Sequence, residues 1–352
     1  MADVVTELSV HQPRTSFDRD IMSLYAEQED ATSIPTQDST AEDFSFAVHA
    51  EFVYIRGLGA IFVGVAGTVI NVLVFLLIWR HGAGTAQNRL MMNLTLNNIF
   101  YSCAILPCMS FSHFAGHLVP RGAPCVIFAF ALHVIQGMAV LSLLLISLNR
   151  FFVILCSKDP RFTFGGWQRT LAILLASWVL SSLLLSPPTA GLWAQYGFDW
   201  RFGVCTLIRS DAKSAKMFNL AISLLAFVLP LSGMICCYAR ILWAVRKQGR
   251  SISHGSLVKG HRRREIAITW LSLRLVLAFI LLNLPFTLTI VIPVLEQTPG
   301  FQATATLTMW CHALVNPVLY ISGDSRLRNA FLEKIGKTPK DAAELSVVSS
   351  KT

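Results

Sequence analysis

Seven runs of apolar residues divide this chain, near 55–79, 88–112, 123–156, 169–193, 214–245, 266–293 and 302–322. Each is long enough to cross a bilayer as a helix, since ~20 residues span a hydrocarbon core of ~30 Å. Lipid offers no partner to backbone N–H and C=O groups, so a crossing segment must satisfy them internally, as a helix does. The composition agrees. Hydrophobic residues make up 54% of the 352 positions and charged residues 14%, where a soluble domain carries about 25% charged residues. The expected fold is all-α, a seven-transmembrane helix bundle. Length alone, at ~150 residues per domain, would suggest two domains, but one membrane bundle accommodates the whole apolar region.

The net charge of +9 is spread unevenly. Residues 1–50 are acidic, whereas Arg240, Arg246, Lys247, Arg250, Lys259, Arg262, Arg263 and Arg264 crowd one connection between spans. Lys158, Arg161, Arg169, Arg326, Arg328 and Lys334 lie on the same side as that connection. Positive charge collects on cytoplasmic loops, so the N-terminus is expected outside and the C-terminus inside. The basic balance therefore reports topology and gives no reason to expect nucleic acid. No basic start followed by an apolar core opens the chain, so the first span is expected to act as a signal anchor. Four regions are expected: an acidic, disordered outside tail (1–50), the seven-helix bundle (51–323), an amphipathic helix on the membrane surface (324–335) and a cytoplasmic tail (336–352). In the third of these, Leu327, Phe331 and Ile335 recur at four-residue spacing and define one apolar face.

Polar residues inside spans are expensive and mark function by default. Here they run in order: Gly67 and Asn71; Asn93, Asn97 and Asn98; Cys125 and then Asn149-Arg150-Phe151; Trp178 and Pro187-Pro188; Pro230 and Tyr238; Glu265, Phe279, Asn283 and Pro285; His312 and Asn316-Pro317-Val-Leu-Tyr320. In that order and at that spacing the chain resembles the rhodopsin-like (class A) G-protein-coupled receptors across 55–335. The fourth-span exit, Pro187 to Asp199 with Val204-Cys205-Thr206, and Asn149-Arg150-Phe151 resemble the arthropod Moody and trapped-in-endoderm group. That group is similar to the melatonin receptors and to a vertebrate receptor for medium-chain fatty acids.

The resemblance implies a multi-pass plasma-membrane receptor, not an enzyme, with no cofactor and no metal. It implies a disulfide between Cys125 and Cys205, on an outer face that is oxidising. It implies an activation switch in which Arg150 rests against Glu265 and, when released, meets a heterotrimeric G protein. Asn149, Phe151, Tyr238, Asn316, Pro317 and Tyr320 complete that switch. A lone arginine at the inner end of a span would more often be a topological anchor. Val140, Pro230 and Phe279 resemble the family's packing switch, with Pro285 as the pivot; ordinary core packing would explain the same residues.

Three positions depart from the family pattern. Asn149 stands where relatives carry the aspartate that holds the arginine, which weakens one restraint on the resting state. Asn98 replaces an aspartate used to hold sodium, and an amide is a poor ligand for that ion. With Asn71, Asn283, His312 and Asn316 it is expected to form a neutral hydrogen-bonded core. Asn283 replaces a tryptophan. The alternative is that these amides merely satisfy one another, at ~0.6 kcal/mol each.

The ligand is expected in the outer half, among Leu132, His133 and Gln136, Phe286, Thr287 and Ile290, and Thr306, Met309 and Trp310. No acidic residue stands among them, so a lipid or weakly polar small molecule fits better than a charged amine. His133 and Gln136 serve equally well as bonds to a neighbouring helix. The melatonin-like kinship implies an inhibitory-type G protein, and tail hydroxyls (Thr338, Ser346, Ser349, Ser350, Thr352) are candidate arrestin-recruiting phosphosites. The subgroup is associated with cell migration, polarity and glial barrier formation. A membrane transporter or channel is the alternative, but the chain shows neither paired intramembrane charges nor an internal repeat.

Overall fold

The computed structural model describes residues 37–334 apart from 83, 117–118, 120, 157–163, 165, 200–201, 209–212, 250–255 and 297. Within that stretch the side chains of 37–51, 81–82, 248–249, 256–263, 290–291, 293 and 296 are left out. The expectations placed on 1–36 and on 335–352, including Ile335, lie outside the described residues. Contacts divide the chain into two units, Met1–Val48 and His49–Thr352, and every membrane-crossing segment belongs to the second.

Among the described residues, eight helices carry the architecture, beside a short one at Pro293–Glu296. Helix α1 is assigned over Gln37–Gly82, with its membrane-crossing stretch at Phe52–Arg80. Helix α2 covers Ala86–Ala115 and α3 covers Ala123–Leu155. Helix α4 is Trp167–Leu185, continued by a 3-10 turn at Pro187–Ala190. A two-stranded antiparallel hairpin comes next, β1 (Tyr196–Asp199) and β2 (Val204–Leu207), pairing Tyr196 with Leu207 and Phe198 with Cys205. Helix α5 runs Lys213–Ser223, Leu224–Val228 and Leu229–Gly249, and α6 is Ser256–Val291. Helix α7 has two halves, Pro299–Trp310 and His312–Gly323, and α8 is Ser325–Lys334. Helix α3 is central, touching α2, α4, α5, α6 and both strands.

Among the described residues, six helices are long and apolar enough to cross a membrane unbroken. The seventh predicted run, 302–322, is the exception because its helix is interrupted at Cys311. Proline explains part of the local backbone throughout. Pro317 cannot donate and its ring crowds the carbonyl four residues back. That carbonyl, Ala313 O, is taken instead by Asn71 Nδ2 on α1 at 2.7 Å. Single π turns sit at Tyr101–Ile105, just before Pro107, and at Leu224–Val228, just before Pro230. Proline again displaces the preceding carbonyls, and a wider turn absorbs the shift. The apolar pattern of the sequence carries no sign of these turns.

Side chains sort by face. Phe62, Leu183, Val69 and Leu281 are more than 60% exposed and form the lipid-facing surface. One inner-half cluster joins Leu77, Leu94, Leu143, Ile146, Met234, Tyr238, Leu275, Phe279 and Tyr320. A second, in the outer half, joins Ala60, Tyr101, Ile105, Leu132, Met309 and Trp310 with Val204 of β2. Polar bonds tie the helices across these clusters. Trp178 Nε1 on α4 donates to Asn93 Oδ1 on α2 at 3.2 Å, and Asn93 Nδ2 donates to Ser142 Oγ on α3 at 2.8 Å. Gly67 is required for close approach: a Cβ there would stand 2.6 Å from Ser102 Oγ. In α8 the Asp324 carboxylate caps the Arg326 amide at 2.8 Å. Leu327 and Leu332 are buried there with Phe331 half-buried, so the apolar face includes Leu332, which four-residue spacing alone passes over.

Candidate signalling switch and ligand region

Arg150 and Glu265 meet at the inner ends of α3 and α6. Arg150 Nη1 stands 2.8 Å from Glu265 Oε2, with the arginine side chain 4% exposed and the glutamate 20%. Tyr238 on α5 lies against the arginine and beside Ser147 and Ser272, yet its hydroxyl meets the geometry of a hydrogen bond with none of them. A guanidinium this enclosed needs a charged, hydrogen-bonded partner, and Glu265 supplies it.

Asn149 makes a connection the sequence did not reveal. Its Nδ2 donates to Gln87 Oε1 on α2 at 2.9 Å, and Gln87 Nε2 donates to Ser272 Oγ on α6 at 3.2 Å. The amide that cannot hold Arg150 by charge thus joins a chain of hydrogen bonds from α3 through α2 to α6. Gln87 and Ser272 were not among the predicted residues. Nothing in their local sequence marks them, because a glutamine near a helix start and a serine in an apolar helix are common. Phe151 is half-buried at the edge of the inner cluster.

Asn71, Asn98, His312 and Asn316 are buried together with Tyr320. Asn98 Nδ2 reaches Asn71 Oδ1 at 3.4 Å, and Asn71 also donates to Gly67 O and Ala313 O. The expected network is therefore only partly closed. Both amide atoms of Asn316, Asn98 Oδ1 and the Tyr320 hydroxyl have no protein partner. Asn283 donates to Phe279 O one turn back on its own helix at 2.8 Å. A side-chain amide that bonds its own helix satisfies itself locally. Phe279 and Val140 share the inner cluster, Phe279 faces the His312 ring at 6.1 Å, and Pro230 is buried. No group of three or more His, Cys, Asp or Glu side chains able to hold a metal occurs among the described residues.

On the outer side, Cys125 at the head of α3 and Cys205 in β2 are joined by a disulfide, with Cα atoms 5.3 Å apart. The bond draws the hairpin over the bundle, so that Val204 enters the outer cluster and Phe202 faces Phe286 at 6.2 Å between ring centres. The Tyr196 hydroxyl donates to Leu185 O at 2.9 Å, and burial pushes its pKa up from the usual phenol value. Of the predicted ligand residues, Leu132, Met309, Trp310 and Phe286 come together in this cluster. Trp310 is wholly enclosed. The polar members bond within their own helices: His133 Nδ1 lies 2.7 Å from Ala129 O, Thr287 donates to Asn283 O and Thr306 to Gln302 O. Gln136 stands beside the Tyr101 hydroxyl. The side chain of Ile290 lies outside the described residues. Two cavities elsewhere measure 430 Å³, lined by Leu76, Arg80, Ala330 and Lys334, and 170 Å³, lined by Arg121, Val126 and Tyr196.

Comparison with known proteins agrees with this geometry. Residues 70–320 match the seven-transmembrane receptor (rhodopsin family) pattern. The chain is 24% identical over 306 residues to Protein trapped in endoderm-1 of Drosophila melanogaster, covering 80% of this chain and 76% of that protein. It is 25% identical over 309 residues to human Probable G-protein coupled receptor 45, covering 78% and 80%. The crystal structure of squid rhodopsin superposes with a TM-score of 0.69 at 20% identity, covering 81% of this chain and 80% of that one. The bundle, the disulfide and the match over most of its length make this chain a member of the rhodopsin family of seven-transmembrane receptors, a multi-pass G-protein-coupled receptor of the plasma membrane.

Proposed function

We propose that this receptor converts binding of a lipid-like or weakly polar small ligand in its outer half into activation of an inhibitory-type G protein, by opening the Arg150–Glu265 contact. The observation that carries the reading is that contact itself: a buried cation on α3 held at 2.8 Å by a carboxylate on α6. Only an interaction that differs between two states can bias them, and this one is lost when the inner ends of α3 and α6 separate. The chain from Asn149 through Gln87 to Ser272 spans the same two helices and breaks in the same motion. Tyr238 and Tyr320, buried nearby with unpartnered hydroxyls, are placed to accept new bonds once Arg150 is free.

Lysine and arginine placement supports an outside N-terminus and an inner face made by the 240–264 connection, where the G protein docks. The apolar outer cluster under the hairpin supports an apolar ligand body. Phosphorylation of the tail then recruits arrestin. Kinship with Protein trapped in endoderm-1 supports a role in cell migration or polarity, extending to glial barrier formation.

The test is G-protein activation in cells at matched surface expression, wild type against Arg150→Ala and Glu265→Gln. Glu265→Gln should raise the basal signal and Arg150→Ala should abolish it. Silence from all three across every G-protein class, with or without candidate lipids, would sink the proposal.

A further inference from the structure

Arg56 lies one turn into the crossing part of α1. An arginine near a span end ordinarily snorkels, its stem along the helix and its head in the interface. Arg80, at the opposite end of the same span, does this and is exposed. Arg56 does not: it is 7% exposed, turned into the bundle. Among the described residues its Nε donates to Phe52 O on its own helix at 3.4 Å. No carboxylate pairs with it among the described residues.

Two buried ring nitrogens near it have no partner, one on His113 and one on the Trp310 that His113 faces. His113 near the outer end of α2 is 6% exposed, stands within electrostatic reach of Arg56, and has a buried Nδ1 with no partner. Its ring faces Trp310 of α7 at 6.2 Å, and Trp310 Nε1, which can only donate, is buried and unpartnered as well. Helix α7 begins at Pro299 without a side-chain cap. A Cβ on Gly300 would stand 3.2 Å from the Phe52 ring, so this uncapped, electropositive end lies close to the Arg56 turn. The turn of the hairpin closes the outer side, since a Cβ on Gly203 would stand 3.2 Å from His113 Nδ1.

Buried polar groups in native proteins are nearly always paired, so a buried cation with no carboxylate partner among the described residues, near two unpartnered ring nitrogens, points to a missing partner. A planar guanidinium matches a carboxylate or phosphate in two-point fashion. We propose that Arg56, His113 and Trp310 form an anion-recognising subsite between α1, α2 and α7 that takes the carboxylate or phosphate head of an amphipathic ligand. The ligand's apolar body lies in the adjoining cluster of Tyr101, Ile105, Leu132 and Met309. The inference deepens the receptor reading and rests on it. It moves the polar recognition away from His133 and Gln136, toward the first and seventh helices.

The experiment uses the full chain in nanodiscs of zwitterionic phosphatidylcholine and follows thermal unfolding with decanoate, decyl phosphate and the neutral control decanol. A ligand that binds only the folded receptor raises its Tm, here by on the order of 2–4 °C near saturation. The expected result is a rise with one or both anions and none with decanol; which anion acts identifies the head group. Arg56→Gln should remove the rise, and Arg56→Lys should keep part of it. Without probe, Arg56→Gln should be no less stable than wild type, since it relieves an unpaired charge; a purely structural arginine would give the opposite. Should Arg56→Gln not fold, the wild-type Trp310 indole N–H resonance, assigned with Trp310→Phe, should shift with the anions and not with decanol. Anions that act no more than decanol on both Tm and that resonance, or a full rise retained by Arg56→Gln, would overturn the subsite. No G protein takes part, so a failure here leaves the Arg150 switch standing, and a silent switch leaves this binding result standing.

Discussion

Asn149 Nδ2 donates to Gln87 Oε1 at 2.9 Å, linking α3 to α2 where an aspartate would have held Arg150. The link continues to Ser272 on α6, so the amide restrains the same helix pair as the Arg150–Glu265 contact by a separate route. A neutral buried hydrogen bond contributes about 1 kcal/mol, roughly a fivefold change in an equilibrium. Gln87→Leu should therefore raise basal G-protein activation about fivefold, and Ser272→Ala by less. If neither variant moves the basal signal at equal surface expression, the relay has no part in holding the resting state.

The ion pair should matter more. Hydrogen bonds to charged groups contribute about 1.5–3 kcal/mol, and Glu265, at 20% exposed, sits at the lower end of that range because solvent screens it. Glu265→Gln is expected to raise basal activity about tenfold. Combined with Gln87→Leu it should give close to the product of the two effects, because the two bonds share no side chain. A double variant no more active than Glu265→Gln would mean that the relay and the ion pair act as one unit.

The disulfide joins residues 80 positions apart, between α3 and β2. Cross-links of this kind stabilise by ~2–4 kcal/mol. Cys125→Ser and Cys205→Ser should each lower the Tm of the purified receptor by several degrees, and the double variant no further. A Tm that is unchanged, and equally unchanged by reductant on wild type, would show that the hairpin holds its place without the bond.

Gly67 and Ser102 make a packing test. Gly67→Ala places a Cβ 2.6 Å from Ser102 Oγ and should cost about 1–3 kcal/mol. The Ser102 hydroxyl is buried and unpartnered, so Ser102→Ala alone should be neutral or stabilising. In the double variant most of the loss should be recovered, since the next atom, Ser102 Cβ, stands at 3.3 Å. Thermal unfolding of the four proteins reads the coupling directly, and strict additivity would rule out the close approach as the cause.

Much of the receptor is legible in its residues. The spans and their order come from hydropathy, and the Cys125–Cys205 pairing and the meeting of Arg150 with Glu265 come from the family resemblance that the motifs carry. The relay through Gln87 was not legible, because a hydrogen bond between residues 62 positions apart leaves no local mark. Nor was the Asn283 side chain's return to Phe279 O on its own helix. Trp310 and Met309 were placed in the ligand region by position, and only the tertiary structure gathers them with Val204 of the hairpin in one buried cluster. Arg56 reads as one more charge at a span end until its burial sets it apart from Arg80.

The sequence by itself determined how many segments cross and where, because lipid forces each crossing backbone to satisfy its own hydrogen bonds over a fixed length. Only the tertiary structure decided which face of each helix turns inward. In lipid both faces are apolar, so hydropathy does not distinguish Leu183 on the lipid side from Leu143 in the core. That choice belongs to packing and to the few polar side chains that find partners across helices, as Trp178 finds Asn93 and Asn93 finds Ser142. It is also what buries Arg56 and leaves His113 Nδ1 and Trp310 Nε1 without partners.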